Sequence, residues 1–326
     1  MKKEILRLLR KKNEYVSGQE LCNLLGVSRT AIWKVMNQLK EEGYEIEAVS
    51  KKGYKLLGKP DVITKEELES VMMTEVFGQR VEFFDEIDST NTYAKKLAEE
   101  PDTHGTLIVA ERQNQGKGRR GRNWDSPKGT GIWMTLILKP NIPPMGASQL
   151  TLVAGLSVSN AITKTLGIDN QIKWPNDIVI GGKKICGILT EMSTEFDYIN
   201  HVVIGIGINV NTTKFPEELS DMATSVSTIH GESINRSELI AAIMKELEYN
   251  YHIFMKTHNL ALLLEEYNQK LVSLDKEVVI LEAGKKFEAI ALGINESGEL
   301  RIRTKDGIEK VILAGEVSVR GVYGYV

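Results

Sequence analysis

The chain has 326 residues, 42% hydrophobic and 26% charged, with a formal net charge of −3. That balance fits a globular protein of two or three domains, and no apolar run reaches the length of a membrane span. The opening Met1-Lys2-Lys3-Glu4 is too polar for a signal peptide, and Cys22 and Cys186 lie far apart without metal spacing, so a cytoplasmic protein with reduced thiols and no membrane partner is expected.

The charge is uneven. Residues 1–60 hold 13 Lys+Arg against 7 Asp+Glu, a net +6, and the remainder carries −9. A basic head on an acidic body points to a polyanion as the partner of the head. Within it, Ile5, Leu6, Leu8 and Leu9 have helical spacing. Ser17, with Glu20 three residues on, predicts a capping box, and Gly26 ends that second helix. Ser28 caps a third, whose apolar face is Ile32, Val35, Met36 and Leu39. Two short helices joined by a Gly-containing turn make a helix-turn-helix, whose second helix presents its N-terminal residues to base edges. The candidates are Ser28, Arg29, Thr30, Lys34 and Asn37. Trp33 is readable as core or as DNA-facing, with core preferred. Tyr44–Val49 and Tyr54–Leu57 alternate like strands around Ser50-Lys51-Lys52-Gly53, a wing whose Lys51 and Lys52 suit phosphate contact. A small helical protein-interaction domain is the alternative. Lys59-Pro60-Asp61 reads as a linker.

From Thr64 the character changes. A capped helix runs to about Met73, and Val81–Asp85 is a strand. Asp88-Ser89-Thr90-Asn91 starts a helix through Glu100; from this stretch alone, capping is the favoured role of the polar residues. Thr106–Arg112 and Ile132–Leu138 are strands on either side of the most unusual segment, Glu111–Trp133. That segment holds six Lys+Arg, five Gly and two Trp. Glycines let backbone N–H groups approach a ligand, and Arg and Lys supply anion donors. A ligand with an anionic end and a part sheltered from water fits it; a solvated basic loop is the bland alternative.

Gln149–Leu166 is a helix with a small-residue face. In Lys173-Trp174-Pro175-Asn176-Asp177 the proline breaks a strand and exposes an amide and a carboxylate. Gly181-Gly182 turns a hairpin. On the return strand only one of Lys183 and Lys184 can face a ligand. Val202–Val210 is a buried strand whose Gly205 and Gly207, two apart, mark close approach by something, with Asn209 on the same face. Asn211–Ser225 is a polar loop. Arg236–Met255 and Leu260–Leu271 are structural helices, and the remainder forms short strands in a small barrel closed by Gly315–Arg320.

Gly116–Trp124 (GKGRRGRNW), Lys173–Asp177 (KWPND), Lys184–Leu189 (KICGIL) and Gly207–Asn211 (GINVN), in this order behind a helix-turn-helix, resemble the bifunctional biotin–protein ligases that also repress biotin operons. The resemblance spans the chain. It implies an α+β protein with a winged helix-turn-helix at 1–62, a mixed-sheet catalytic domain with flanking helices at 64–272 and an SH3-like barrel at 273–326. It implies that biotin and MgATP give biotinyl-5′-adenylate, which then acylates a lysine of a biotin carboxyl carrier protein. Ser89, Thr90, Asn91 and Gln113 match biotin-binding positions, and Lys117, Gly118 and Arg119 match contacts of the loop that folds over biotin and phosphate. Lys184 matches the lysine at the reacting carboxyl and α-phosphate. Arg119, Arg120 and Arg122 match the adenylate side, while Trp124 and Asn209 match adenine-side and metal- or nucleotide-side contacts. Asp177 matches the acid near the acceptor lysine, and Arg320 an arginine that reaches ATP. Lys184, Arg119 and Asp177 are the catalytic set, Mg2+ comes with ATP, and no side-chain metal site is assigned. Lys117 departs from the familiar arginine, exchanging a planar fork for a point charge. A homodimer formed on adenylate binding would set two winged helices on operator DNA. A lipoate or octanoate ligase, or a repressor that only senses biotin, are the rival readings.

Overall fold

The computed structural model describes residues 1–12, 14–58, 60–195, 198–282, 285–313 and 317–321, with backbone alone for Glu282, Lys285, Val317, Ser318 and Arg320. It forms two compact units: Met1–Met73 with Asn235–Ala241, and Thr74–Ile234 with Ala242–Val326.

In the first unit, α1 (Lys2–Lys12), α2 (Gly18–Leu25) and α3 (Arg29–Glu41) precede a hairpin of β1 (Glu45–Val49) and β2 (Gly53–Gly58), and α4 (Lys65–Val71) follows. The Ser17 hydroxyl accepts the Glu20 N–H at 3.0 Å and the Ser28 hydroxyl that of Ala31 at 3.2 Å. Gly26, at φ 66°, adopts the left-handed turn that separates α2 from α3. The Glu20 carboxylate pairs with Lys12, so only the serine half of the expected capping box forms. Ile5, Leu6 and Leu9 pack with Leu21, with Ile32, Val35, Met36 and Leu39, and with Tyr44, Ile46 and Leu56. Full burial of each such aliphatic side chain contributes roughly 1.5–3 kcal/mol.

Two expectations are corrected here. Trp33 is 57% exposed rather than core. Successive helical residues are turned by about 100°, so the residue after Ile32 leaves the apolar stripe. Nor is the segment after the wing a loose linker; Lys59 itself lies outside the described residues. Asn235 donates to the Pro60 carbonyl at 3.0 Å, and Arg236 pairs with the Asp61 carboxylate at 2.9 Å. The Ser237 hydroxyl donates to the Val62 carbonyl.

The second unit is built on a mixed seven-stranded sheet. Its chain runs β3 (Val81–Phe84), α5 (Thr90–Leu97), β4 (Leu107–Ala110), β5 (Gly131–Leu138), α6 (Gln149–Leu166), β6 (Gln171–Lys173), β7 (Asp177–Ile180), β8 (Lys183–Glu195) and β9 (Tyr198–Asn209). Helices α7 (Val226–His230), α8 (Arg236–Thr257) and α9 (Leu264–Lys270) follow. The strand order is β3-β4-β5-β9-β8-β7-β6, with β3 and β4 parallel and the other neighbours antiparallel. On one face α5 packs Ala94, Leu97 and Ala98 on Ile108, Ile137 and Val203. Side chains alternate across a strand, so Gly205 and Gly207 share the face of Val203. Helix α6 packs on β8 by its other side, with Thr151 bonded to Thr190 at 2.8 Å. The α9 helix starts later than expected, at Leu264, after a turn in which the Ala261 N–H donates to the Asn259 side chain at 3.0 Å.

Strands β10 (Glu277–Glu282), β11 (Lys285–Ile294), β12 (Leu300–Thr304), β13 (Glu309–Ile312) and β14 (Val317–Gly321) make the small β domain an antiparallel sheet of order β13-β12-β11-β10-β14. Gly315 and Glu316 lie outside the described residues. Trp174 ties this sheet to the larger one by donating to the Gly298 carbonyl at 3.0 Å. No helix among the described residues is long and apolar enough to cross a membrane.

One polar cluster in the first unit sets a measurable requirement. Glu67 is fully buried, accepting from Arg10 at 2.6 Å and from the Tyr44 hydroxyl. Burial, with the neighbouring carboxylate, pushes the Tyr44 phenol well above its usual range. Glu67→Ala leaves the Arg10 guanidinium buried without its counter-charge and should cost about 3–5 kcal/mol in denaturant unfolding of the chain. Tyr44→Phe should cost only about 1–2 kcal/mol. Equal losses would contradict the charge-centred reading.

Candidate functional site

The site is built on missing side chains. A Cβ on Gly205 would lie 2.1 Å from the Asn91 Oδ1, and one on Gly207 2.6 Å from the Trp124 Nε1. A Cβ on Gly187, across from Gly207 in the β8–β9 register, would lie 2.8 Å from the Trp124 ring. The close approach expected at the paired glycines is therefore made by two named side chains, one from the start of α5 and one from the Gly/Arg loop. Trp124 hangs from that loop, with its backbone N–H donating to the Gly116 carbonyl at 2.9 Å.

The closed end of the resulting pocket is polar. Ser89 is the N-cap of α5, as expected, but Thr90 and Asn91 do more than cap. The Thr90 N–H and hydroxyl donate to the Gln113 Oε1 at 2.9 and 3.0 Å. The Gln113 amide nitrogen donates to the Ser126 hydroxyl at 2.9 Å. Asn91 donates to the Glu191 carboxylate at 2.9 Å and to the Leu189 carbonyl at 3.3 Å. Buried Thr135 stands 2.7 Å from the Asn91 Oδ1 and 2.8 Å from the Thr90 hydroxyl. Thr135 and Glu191 were not singled out from the sequence. A signal existed for Thr135, the one hydroxyl in Gly131–Leu138, an otherwise apolar strand.

Toward the open end the pocket becomes cationic. Lys184 Nζ lies 2.6 Å from the Asp177 carboxylate and 5.0 Å from the centroid of the Trp124 ring. Lys183, on the alternate side of β8, donates to the Ser220 carbonyl at 3.0 Å. Arg119 donates to the Asn176 side chain at 2.8 Å. Burial lowers the Arg119 pKa and Asp177 opposes the change. Lys117 donates to the Thr92 hydroxyl at 3.0 Å, and the Gly118 N–H to the Arg122 carbonyl at 2.7 Å. Ser89, Thr90, Asn91, Gln113, Lys117, Gly118, Arg119, Trp124 and Lys184 thus line one pocket, together with Asn176 and the three glycines.

A wider groove adjoins it and shares Gly118, Arg119, Trp124, Asn176 and Lys184. Asp177, Arg120, Arg122, Lys173, Lys214 and Asn209 also line it. Arg120 holds φ 57°, a left-handed conformation uncommon for a residue with a side chain. Asn209 donates to the Thr224 carbonyl at 3.3 Å and so braces the segment after β9. Arg320 pairs with Val279 through its backbone in β14; its side chain lies outside the described residues. Among the described residues no group of three or more His, Cys, Asp or Glu could hold a metal ion. The arrangement suits a ligand with a compact hydrogen-bonding head, an apolar middle and an anionic end that lies among Lys184 and the arginines.

The first unit carries a separate candidate face. Ser28 spends its hydroxyl on capping. Arg29 is held by the Gln19 side chain at 2.8 Å. Thr30, Trp33 and Lys34 are exposed and Asn37 half-buried on the side of α3 away from the core. Lys51 and Lys52 are exposed at the hairpin tip. This is a basic helix face beside a basic wing, the surface that phosphate contacts use.

The Trp124 contact can be read optically. Gly207→Ala should displace the indole and alter tryptophan emission. In a Trp124→Phe background the same substitution should leave emission unchanged; an equal change in both backgrounds would contradict the contact.

Sequence profiles match the Biotin/lipoate A/B protein ligase family over residues 83–209, an HTH domain over 2–55 and the Biotin protein ligase C terminal domain over 273–320. The chain is 42% identical over 320 residues to the Bifunctional ligase/repressor BirA of Bacillus subtilis (strain 168), covering 96% of this chain and 97% of that one. It is 30% identical over 308 residues to the protein of the same description from Escherichia coli (strain K12), covering 94% of each. Among solved structures, the biotin protein ligase from Aquifex aeolicus in complex with biotin and ATP is similar at a TM-score of 0.66 and 34% identity, over 74% of this chain and 99% of that chain. Similarity that runs the length of the chain, through both the helix-turn-helix and the ligase portions, places it in the biotin protein ligase family, in the branch of bifunctional ligase/repressors.

Proposed function

We propose that the chain joins biotin to ATP in the glycine-floored pocket and its cationic groove, and hands the biotinyl group to a lysine of a biotin carboxyl carrier protein. The observation that carries this reading is the pocket's change of character, from the hydrogen-bonding end at Thr90, Asn91 and Gln113 to Lys184 and Arg119. Biotin has a ureido head that donates and accepts hydrogen bonds, and a carboxylate at the far end of an aliphatic chain. The dithiolane of lipoate offers no such head, and leaving the polar end unpaired would be costly.

In the first step a biotin carboxylate oxygen attacks the α-phosphorus of ATP and pyrophosphate leaves. Two anions must meet, so Lys184 and Arg119 neutralise the crowded phosphate, with Arg120, Arg122 and Lys117 as further donors from the loop. Mg2+ enters as part of the MgATP substrate. Trp124 and Asn209 border the nucleotide, and Arg320 is assigned to ATP by the family resemblance alone. In the second step the carrier amine attacks the acyl carbon and AMP leaves. Asp177, as Lys184 turns from it to phosphate, pairs with the incoming ammonium and accepts the proton it sheds, so that the neutral amine attacks. The Gly/Arg loop excludes water from the adenylate until then.

The same chain acts on DNA through Ser28, Arg29, Thr30, Lys34 and Asn37 of α3 and through Lys51 and Lys52. Adenylate binding favours a homodimer, which sets two winged helices on a two-fold operator. We divide the chain into a winged helix-turn-helix at 1–62, a catalytic domain at 64–272 and a small β domain at 273–326, and place it in the cytoplasm, where carrier and operator are found.

Biotin-dependent ATP–pyrophosphate exchange is the direct test. The wild-type chain should support it with biotin, and Lys184→Ala should lower it by about 10²–10³-fold, the loss typical of one transition-state donor. Exchange driven by lipoate would select the sister activity, and none with either acid would refute the ligase reading. For the DNA arm, operator affinity should rise when biotin and ATP are both present; affinity indifferent to them would contradict the coupling.

A further inference from the structure

We propose that Glu191 is a positioning residue that fixes which way the Asn91 amide faces, so that at this point the pocket offers its ligand a hydrogen-bond acceptor and no donor. The proposal rests on the biotin reading of the same pocket and adds a rule for what that pocket rejects.

Asn91 is almost wholly buried at the start of α5. An amide side chain has two donor hydrogens on nitrogen and two acceptor lone pairs on oxygen. Both Asn91 hydrogens are committed, one to the Glu191 Oε2 at 2.9 Å and one to the Leu189 carbonyl at 3.3 Å. Neither partner carries a proton to give. Turning the amide over would press its oxygen against a carboxylate and a carbonyl, three acceptors with no hydrogen among them. Its nitrogen would then face Thr135, whose hydroxyl now lies 2.7 Å from the Asn91 Oδ1. The turned amide is therefore excluded electrostatically, and Glu191 makes the exclusion strong because it is charged.

The neighbours keep Glu191 in that role. Lys95 donates to its other oxygen at 2.7 Å. Burial works to raise the Glu191 pKa, but the hydrogen bonds from Lys95 and Asn91 outweigh it and the net shift is downward. The carboxylate thus stays ionised, acceptor-only, through the neutral range. Gly205 holds the amide in place, since any Cβ there would overlap the Asn91 Oδ1. With both hydrogens spent and Thr135 on one lone pair, the capacity Asn91 retains among the described residues is the second lone pair of Oδ1. That atom recognises a ligand N–H. A ureido ring supplies one; a ring with oxygen in its place sets two acceptors against each other.

Calorimetric titration with biotin and with the two cyclic carbamates in which one ureido N–H is replaced by oxygen tests this. Wild-type protein should bind biotin and discriminate against one of the carbamates. Glu191→Gln keeps the shape of the side chain but supplies hydrogens of its own, so Asn91 becomes free to turn. Its preference for biotin over that carbamate should shrink about tenfold, one power of ten in binding constant, and in pyrophosphate exchange the loss should fall on KM for biotin far more than on kcat. Thr135→Val removes the group facing Oδ1 but leaves Glu191 and the Leu189 carbonyl on the Asn91 nitrogen, so it should keep the wild-type preference, which separates the effect of Glu191 from a general disturbance of the cluster. Wild-type discrimination surviving in Glu191→Gln with biotin still bound, or an equal loss in Thr135→Val, would overturn the assignment of Glu191. Absence of biotin binding by the wild-type chain is a different result, and would remove the biotin reading itself.

Discussion

Everything at the site depends on steric absence on one face of β8 and β9. Gly187, Gly205 and Gly207 leave the sheet backbone bare where Asn91 and Trp124 must lie flat upon it. None of the three has a positive φ, so the requirement is one of space and not of backbone conformation. The bare strip lets a helix start and a glycine-rich loop converge from distant parts of the chain onto a single pocket. A methyl group at any of the three would move a polar contact or an aromatic wall by an amount that packed interiors absorb poorly.

Polar saturation is the second constraint, and it follows from the first. Pressing Asn91 onto buried strands takes its amide out of water, and an unpaired buried amide is costly. Thr135, Glu191 and the Leu189 carbonyl remove that cost and, in doing so, give the pocket a fixed polarity. Gln113 is fixed in a similar way, with its oxygen committed to Thr90 and its nitrogen to Ser126. The closed end therefore comes with its donors and acceptors arranged in advance, while the cationic end is shared between Lys184 on β8 and the loop between Gly116 and Trp124. This division matches a reaction in which recognition of the head can be rigid but the phosphates must be enclosed and released.

Local signals in the sequence were sufficient for much of this. Ser17, Ser28, Thr64 and Ser89 cap the helices they were expected to cap, because an N-cap is a contact three residues long. The alternation of Lys183 and Lys184 follows from strand geometry, and the spacing of Gly205 and Gly207 announced a close approach. What sequence did not carry were pairings between distant residues. Asn91 and Glu191 are 100 positions apart and Asp61 and Arg236 are 175 apart; nothing in either segment names the other. So the sequence offers no reason to single out Glu191, and Pro60-Asp61 reads as a linker. Trp33 differs for another reason: its bulk suits a core, but Ile32, Val35, Met36 and Leu39 already complete the buried stripe of its helix.

The orientation of the small ligand is the claim on which the chemistry rests. A crystal structure of the chain with biotin and a non-hydrolysable ATP analogue measures it directly. The ureido ring should lie at Thr90, Asn91 and Gln113 over the Gly205 backbone, with the carboxylate beside Lys184 and the α-phosphate within reach of Arg119. A ureido ring lodged in the cationic groove with its carboxylate at Asn91, or biotin bound outside the glycine-floored pocket, would contradict it.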